Sequence, residues 1–263
     1  MIPKVIHYCW FGRNPKPKLA EKCIRSWKKY CPDYKIMEWN EDNCDLSGMP
    51  KYVQDAYAAG KWAFVTDYIR LQILHTHGGI YFDTDVQVVR RLDPLLKHEC
   101  FMGIERADNT AKVATGLALG SEAGFPLLRE MMEDYLTASF YRKDGTVDIT
   151  TCTVRNTEIL KRYGFVEENR CQEVAGAMIY SSEYFSPMDM NNGKIYRTAN
   201  TYTIHHYSLS WTPKEHQLSR QKAIRKIRML DTVYNIKTIP NRFLKKVMGE
   251  KGYGNLKKTI RRR

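Results

Sequence analysis

Asp83, Thr84 and Asp85 place two carboxylates two residues apart. Hard oxygen donors at that spacing suit Mg²⁺ or Mn²⁺ better than zinc, above all when the ion is shared with the phosphates of a substrate. A divalent ion bridging a diphosphate would neutralise the charge that builds as the diphosphate departs. An Asp-x-Asp alone is common at the end of a surface strand, so its surroundings must give it meaning. Asp67 and Arg70 lie three apart in an otherwise apolar run, which puts them on one helical face with little water. Buried charge needs a partner, so they form either a local salt bridge or a ligand-binding pair. Trp10 ends an apolar run and could stack on a base or fill a core. His205 and His206 are neighbours in an extended run, so only one of them can face a site.

The elements that must position these groups follow from pattern. Val5–Trp10 reads as a strand closed by Phe11-Gly12-Arg13-Asn14-Pro15, the spacing predicts a helix over Lys18–Tyr30, and Tyr34–Trp39 reads as the next strand. That βαβ opening signals an α/β fold with a nucleotide site at the carboxyl ends of its strands. From Lys61 to His75 the chain is apolar on nearly every side, predicting a buried helix that Gly78-Gly79 stops. Beyond it, Ile80, Phe82, Thr84, Val86 and Val88 alternate with Tyr81, Asp83, Asp85 and Gln87, which predicts one strand carrying Tyr81 and both aspartates on one side. Further on, strands are expected at Leu117–Leu119 and Tyr202–Tyr207, and helices at Pro126–Thr137 and Thr157–Tyr163.

With 263 residues and 43% hydrophobic content the chain can bury a core, which excludes intrinsic disorder and a disulfide-stapled miniprotein. Seven scattered cysteines without a C-x-x-C pair read as reduced structural thiols. The N-terminal residues lack the apolar core of a secretory signal, and no run approaches the ~20 apolar residues that span a bilayer, so a cytoplasmic protein is expected. The net charge of +13 lies wholly in Lys214–Arg263, with 16 basic and 3 acidic residues. This divides the chain into a neutral body, residues 1–212, and a basic helical segment, residues 213–263. Within the segment Leu218, Ile224, Ile227 and Leu230 recur at helical spacing beside Lys222, Arg225, Lys226 and Arg228, and a second apolar set runs from Ile236 through Phe243 and Leu244 to Val247. Such a helix either packs on the body or docks on anionic lipid at the inner face of the plasma membrane. Few aromatics accompany the charge, which argues against nucleic acid.

Three stretches in order resemble glycosyltransferase family 32: Ile2 to Gly12, Thr66-Asp67-Tyr68-Ile69-Arg70, and Gly78 to Asp85, with a weaker echo in His205 to Trp211. The resemblance covers about the first 90 residues and that late stretch. It implies a GT-A type, Rossmann-like nucleotide-sugar-binding fold with a mixed central sheet, a Mn²⁺ or Mg²⁺ ion, and transfer with retention from a nucleotide sugar, a UDP-sugar first among the candidates. Carried over by position, it makes Asp83, Asp85 and Arg70 the catalytic groups. Trp10, Asp67, Arg70, Tyr81, Asp83 and Trp211 become donor-binding, and Asp83 and Asp85 the metal ligands, with one of His205, His206, Ser208 and Ser210 completing the shell. The acceptor it implies is a glycan or lipid-linked oligosaccharide of capsule, exopolysaccharide or lipopolysaccharide synthesis. Two other readings compete: a non-catalytic basic adaptor for membranes or nucleic acid, and a metal-dependent nucleotidyltransferase, which would release pyrophosphate.

Overall fold

Strand β1 (Val5–Cys9) leads through helix α1 (Lys18–Tyr30) to β2 (Lys35–Trp39), which pairs parallel beside it. The chain then crosses through α2 (Lys51–Ala58) and α3 (Trp62–His77) to β3 (Gly79–Tyr81), which joins β1 in parallel on its other edge. Because β2 and β3 lie on opposite sides of β1, the connections leave in opposite directions and open a crevice at the carboxyl ends of β1 and β3, where ligands of open α/β sheets bind. Trp10 follows β1 and Asp83 follows β3, so both start at that crevice.

This computed structural model describes residues 1–107, 110–209, 212, 214–238 and 247–256. Beyond β4 (Val86–Val88), the body continues with β5 (Cys100–Ala107), β6 (Thr110–Val113), β7 (Leu119–Ser121), α4 (Pro126–Thr137) and α5 (Cys152–Lys161). It closes with β8 (Gln172–Val174), β9 (Ala177–Tyr180), α6 (Ser182–Phe185) and β10 (Thr203–His205). The main sheet runs β2-β1-β3-β7-β5-β9-β8 with β6 on β5, and β7 is antiparallel to both its neighbours, so the sheet is mixed, as expected. Its pleat sends Tyr81, Met102, Ile104 and Leu119 into a core with α2 to α5, and Ile6, Ile80 and Phe101 into a second core with Cys23 and Trp27 of α1.

Three elements differ from the pattern reading. Residues 80–89 are not one strand: β3 ends at Tyr81, a turn closed by Val86 N–H donating to Asp83 O at 3.0 Å follows, and β4 leaves the main sheet to pair antiparallel with β10. Helix α1 takes the departing backbone in hand, with Trp27 Nε1–H donating to Val86 O at 2.7 Å and Val88 N–H to Ser26 Oγ at 3.0 Å. Helix α5 starts at Cys152, five residues early, because the face it buries there is polar and shows no hydrophobic period. Residues 115–117 form a turn rather than a strand, and β7 starts after it.

Contacts divide the chain into Met1–Met190 with Lys194–Trp211, and Asn191–Gly193 with Thr212–Arg263. The second unit contains α7 (Lys214–Thr238) and a helical stretch over 247–256. On α7 Lys222, Arg225 and Lys226 are exposed, and so are the apolar Leu218, Met229 and Leu230. Ile239, Phe243 and Leu244 of the second apolar set lie outside the described residues, and Val247 is exposed. No described helix is long and apolar enough to cross a membrane.

Candidate active site around the Asp83–Asp85 turn

Two glycines aim the strand that carries the site. Gly78 and Gly79 have φ of 64° and 110°, and a Cβ on Gly79 would stand 2.8 Å from His7 Nε2 and 2.9 Å from Val5 O. Only glycine tolerates both constraints, and it lets β3 close on β1 directly after α3. Phe82 N–H then donates to His7 O and Asp83 N–H to Gly116 O, at 3.1 and 3.0 Å. At Gly116 a Cβ would lie 2.0 Å from Asp83 Oδ2 and 2.7 Å from Arg70 Nη1, so the 115–117 turn lies against the charged groups.

On the α3 side, Arg70 Nη2 is 3.0 Å from Asp67 Oδ1 and 3.2 Å from Asp83 Oδ1. Its Nε–H donates to Thr66 O at 2.9 Å and Nη2 to Thr66 Oγ1 at 3.1 Å, while its guanidinium stacks on the Tyr81 ring, 4.9 Å from the centroid. Burial works against this charge, but Asp83, then Tyr81 and Asp67, outweigh it and hold the guanidinium well above its ordinary range. Burial raises the Asp67 carboxyl, with Arg70 and the thiol and amide of Cys152 pulling back. Tyr81 O–H reaches Asp83 Oδ1 at 3.3 Å. Arg70 is thus locked in one fork geometry between two carboxylates, with Asp83 the more exposed of them, 33% against 10%.

On the β4–β10 side, the pairing of His205 with Val86 brings the late strand beside Asp85. His205 Nε2 is 3.1 Å from Asp85 Oδ1, and Ser208 N–H donates to Asp85 Oδ2 at 2.7 Å. To deliver that amide the chain passes through Tyr207 at φ 49°, a left-handed conformation that costs a residue with a side chain about 1 kcal/mol or more. Burial opposes the charge on Asp85, yet His205 and the Ser208 amide hold its carboxyl well below the usual carboxylate range. Against the same burial, Asp85 first and Glu105 after it raise His205 to about 9. Asp83, Asp85 and His205 offer ligand atoms that all lie within 4.8 Å of one another. Two carboxylates and an imidazole, once the ring gives up the proton it shares with Asp85, are a donor set that fits Mn²⁺ or Mg²⁺ with positions left for substrate oxygens.

Residues 17–102 match a family described as the glycosyltransferase sugar-binding region containing a DXD motif, a span that takes in Asp67, Arg70, Asp83 and Asp85. The chain is a glycosyltransferase. It is similar to the uncharacterized glycosyltransferase L373 of Acanthamoeba polyphaga mimivirus, 25% identical over 81% of this chain and 85% of the relative. It is also similar to the mannosyl phosphorylinositol ceramide synthase CSH1 of Saccharomyces cerevisiae, 35% identical over 39% of this chain but 28% of the relative. Among solved structures, a glycosyltransferase involved in glycosylation of the major capsid of PBCV-1 aligns over 86% of this chain and all of its own, at 10% identity and a TM-score of 0.48.

In this glycosyltransferase the groups singled out from sequence gather unevenly. Asp67, Arg70, Tyr81 and Asp83 meet at one corner, and Asp85 and His205 at the next. His206 turns to Gln87, with Nε2 3.0 Å from Gln87 Oε1, and its backbone N–H donates to Asp85 O at 3.1 Å. Trp10 is half-buried at the crevice, its Nε1–H donating to Asn14 O at 2.6 Å and its ring under Lys16. Trp211 lies outside the described residues, as does Ser210. Pattern reading assigned Thr66 no role beyond its place in the resembling stretch and offered Ser208 only as a metal ligand; it missed Gly116, Cys152 and Glu105 on β5, whose carboxylate hydrogen-bonds Tyr207 and is raised by burial with Asp83 and Asp85 adding to it. Of these only Gly116 left a trace in the sequence, as a lone glycine in an apolar stretch.

Proposed function

We propose that this glycosyltransferase moves a hexosyl unit from a nucleotide sugar, a UDP-sugar first among them, to a glycan or lipid-linked oligosaccharide acceptor, retaining anomeric configuration. The observation that carries this reading is the meeting of Asp83, Asp85 and His205 beside a guanidinium already locked by Thr66, Asp67 and Asp83. Those three ligands would hold Mn²⁺ or Mg²⁺, which when bound supplies a Lewis acid for the departing diphosphate. Arg70 offers fixed positive charge at the same corner and cannot lose its proton, so it stabilises phosphate oxygens without reorganising. Asp67 accepts hydroxyls of the sugar, and Trp10, half-buried and tethered at Asn14, stacks on the base. With the donor so held, the acceptor hydroxyl is positioned on the face from which the diphosphate leaves, and orientation carries much of the rate.

The second unit is the membrane-facing part of this reading. Exposed Leu218, Met229 and Leu230 on the helix that carries Lys222, Arg225 and Lys226 support peripheral docking on anionic lipid at the cytoplasmic face. A lipid-linked acceptor of surface-polysaccharide synthesis would be met there. The test is a product assay with UDP- and GDP-sugars and Mn²⁺. Release of a nucleoside diphosphate only when metal is present is expected, whereas pyrophosphate release would replace this reading with nucleotidyl transfer. Charge reversal at Lys222, Arg225 and Lys226 should abolish flotation with phosphatidylserine vesicles and leave nucleoside diphosphate release intact.

A further inference from the structure

The start of α5 lies against the Asp67–Arg70 corner and carries polar groups that the reading above does not use. Asp67 accepts from both the backbone amide and the thiol of Cys152, the first residue of that helix. One turn on, Asn156 is 1% exposed. Its Nδ2 donates to Thr115 Oγ1 at 3.2 Å, while its Oδ1 is buried with no protein partner among the described residues. Thr115 precedes Gly116, the residue against which Asp83 and Arg70 lie. Cys152 and Asn156, four apart, share one helical face, so one face of α5 touches Asp67 directly and reaches the Arg70–Asp83 contact through Thr115 and Gly116. A buried amide oxygen without a donor is costly, and it persists in binding sites where the ligand brings the donor.

We infer that this face of α5 reads the hydroxyls of the donor sugar. Asn156 Oδ1 accepts a hydrogen bond from one of them, and Cys152 is a positioning residue that directs the oxygen of Asp67 left for another. The inference rests on the proposed donor site at Asp67 and Arg70. It predicts a site built for a sugar bearing a hydrogen-bond donor at the position facing α5, and one that rejects a deoxy or O-methyl sugar there, because the buried oxygen is then left unpaired.

Binding with Mn²⁺ of the preferred nucleotide sugar, its single-deoxy analogues and the bare nucleoside diphosphate, to wild type and Asn156→Ala, separates the possibilities. The expected result is that Asn156→Ala weakens the nucleotide sugar about tenfold, the scale of one hydrogen bond to a sugar, and leaves nucleoside diphosphate affinity unchanged. One deoxy analogue should lose the same factor on wild type and nothing further on the variant. Should Asn156→Ala not fold, Asn156→Ser completes the same cycle. Equal loss for diphosphate and sugar, or no deoxy analogue coupled to position 156, overturns the inference while leaving the donor site standing. A wild type that binds neither the nucleoside diphosphate nor any nucleotide sugar overturns the donor site, and this inference with it.

Discussion

Asp83 and Asp85 are two residues apart and live in different surroundings. Asp83 is held by Arg70 and Tyr81, groups that are 13 and 2 residues away in sequence and belong to one α3–β3 corner. Asp85 is held by His205 and Ser208, more than a hundred residues on, through the pairing of β4 with β10. The first corner is rigid because its guanidinium is buried among fixed partners. The second is assembled only when the late strand docks, and its Asp85–His205 pair is the one a cation would join. The difference separates a rigid charged half of the site from the half that, on the proposed reading, would hold the metal, and each can be broken without the other.

Removing Arg70 should have the largest effect, and on folding. Arg70→Met leaves Asp67 and Asp83 facing each other in a poorly hydrated corner, and loss of one partner from a buried charge network costs about 3–5 kcal/mol. Urea denaturation should show that loss; Arg70→Lys keeps charge but not the fork and should recover part of it. Asp85→Asn attacks the other half. Metal-dependent transfer should fall by about 10³-fold or more, the scale of losing a preorganised electrostatic group, while the far-ultraviolet circular dichroism and the α3–β3 corner stay intact. Undiminished turnover in that variant would remove Asp85 from the metal site.

The two corners also differ in how legible they were. Asp67 and Arg70 announce themselves as charges three apart in an apolar helix, and the glycine pair and βαβ opening place them at the crevice. Helices Lys18–Tyr30 and Pro126–Thr137 have the bounds their spacing predicts, because their buried faces are apolar and periodic. The Asp83–Asp85 turn hid inside an alternation that continues through it, since Val86 and Val88 resume the pleat in a different sheet. Nothing local in His205-His206 says which ring meets Asp85. That depends on the β4–β10 register, a contact across more than a hundred residues that side-chain periodicity does not encode. Cys152 and Asn156 were unreadable for a related reason, because their helix buries a polar face.

His7 offers a pH test of the scaffold beneath the first corner. It is 3% exposed, accepts from Trp39 Nε1–H through Nδ1 and donates from Nε2 to Gly78 O, both at 3.0 Å, so the ring is neutral. Burial lowers it from 6.5 to about 4, with His77 and Lys35 acting in the same direction and the Gly78 carbonyl against. Between those values the unfolded chain binds a proton that the folded one refuses, so stability is full above pH 6.5 and falls as the pH drops towards 4, by roughly 3 kcal/mol. Denaturation of wild type and His7→Gln across pH 4–7 should give a difference that shrinks in this sense on acidification. A pH-independent difference would mean that His7 takes up its proton as readily in the folded protein as in the unfolded chain.

The comparison of His205 with His206 sharpens the proposed metal-binding half most, with the smallest change in energy. If His205 completes the cation site, His205→Gln should weaken Mn²⁺ binding, read by isothermal titration or by the metal concentration for half-maximal transfer, about 10- to 100-fold, the range seen when a ligand or its orienting partner is altered. His206→Gln should cost only a few-fold, because that ring touches Gln87 and its contribution at Asp85 is a backbone amide that glutamine retains. Neither should move the urea midpoint as Arg70→Met does, since Asp85 keeps the Ser208 amide in both. A larger loss of Mn²⁺ affinity at position 206 than at 205 would mean that the late strand shifts by one residue when the cation binds, exchanging the two rings, because a one-residue slip in a strand sends each side chain to the other face.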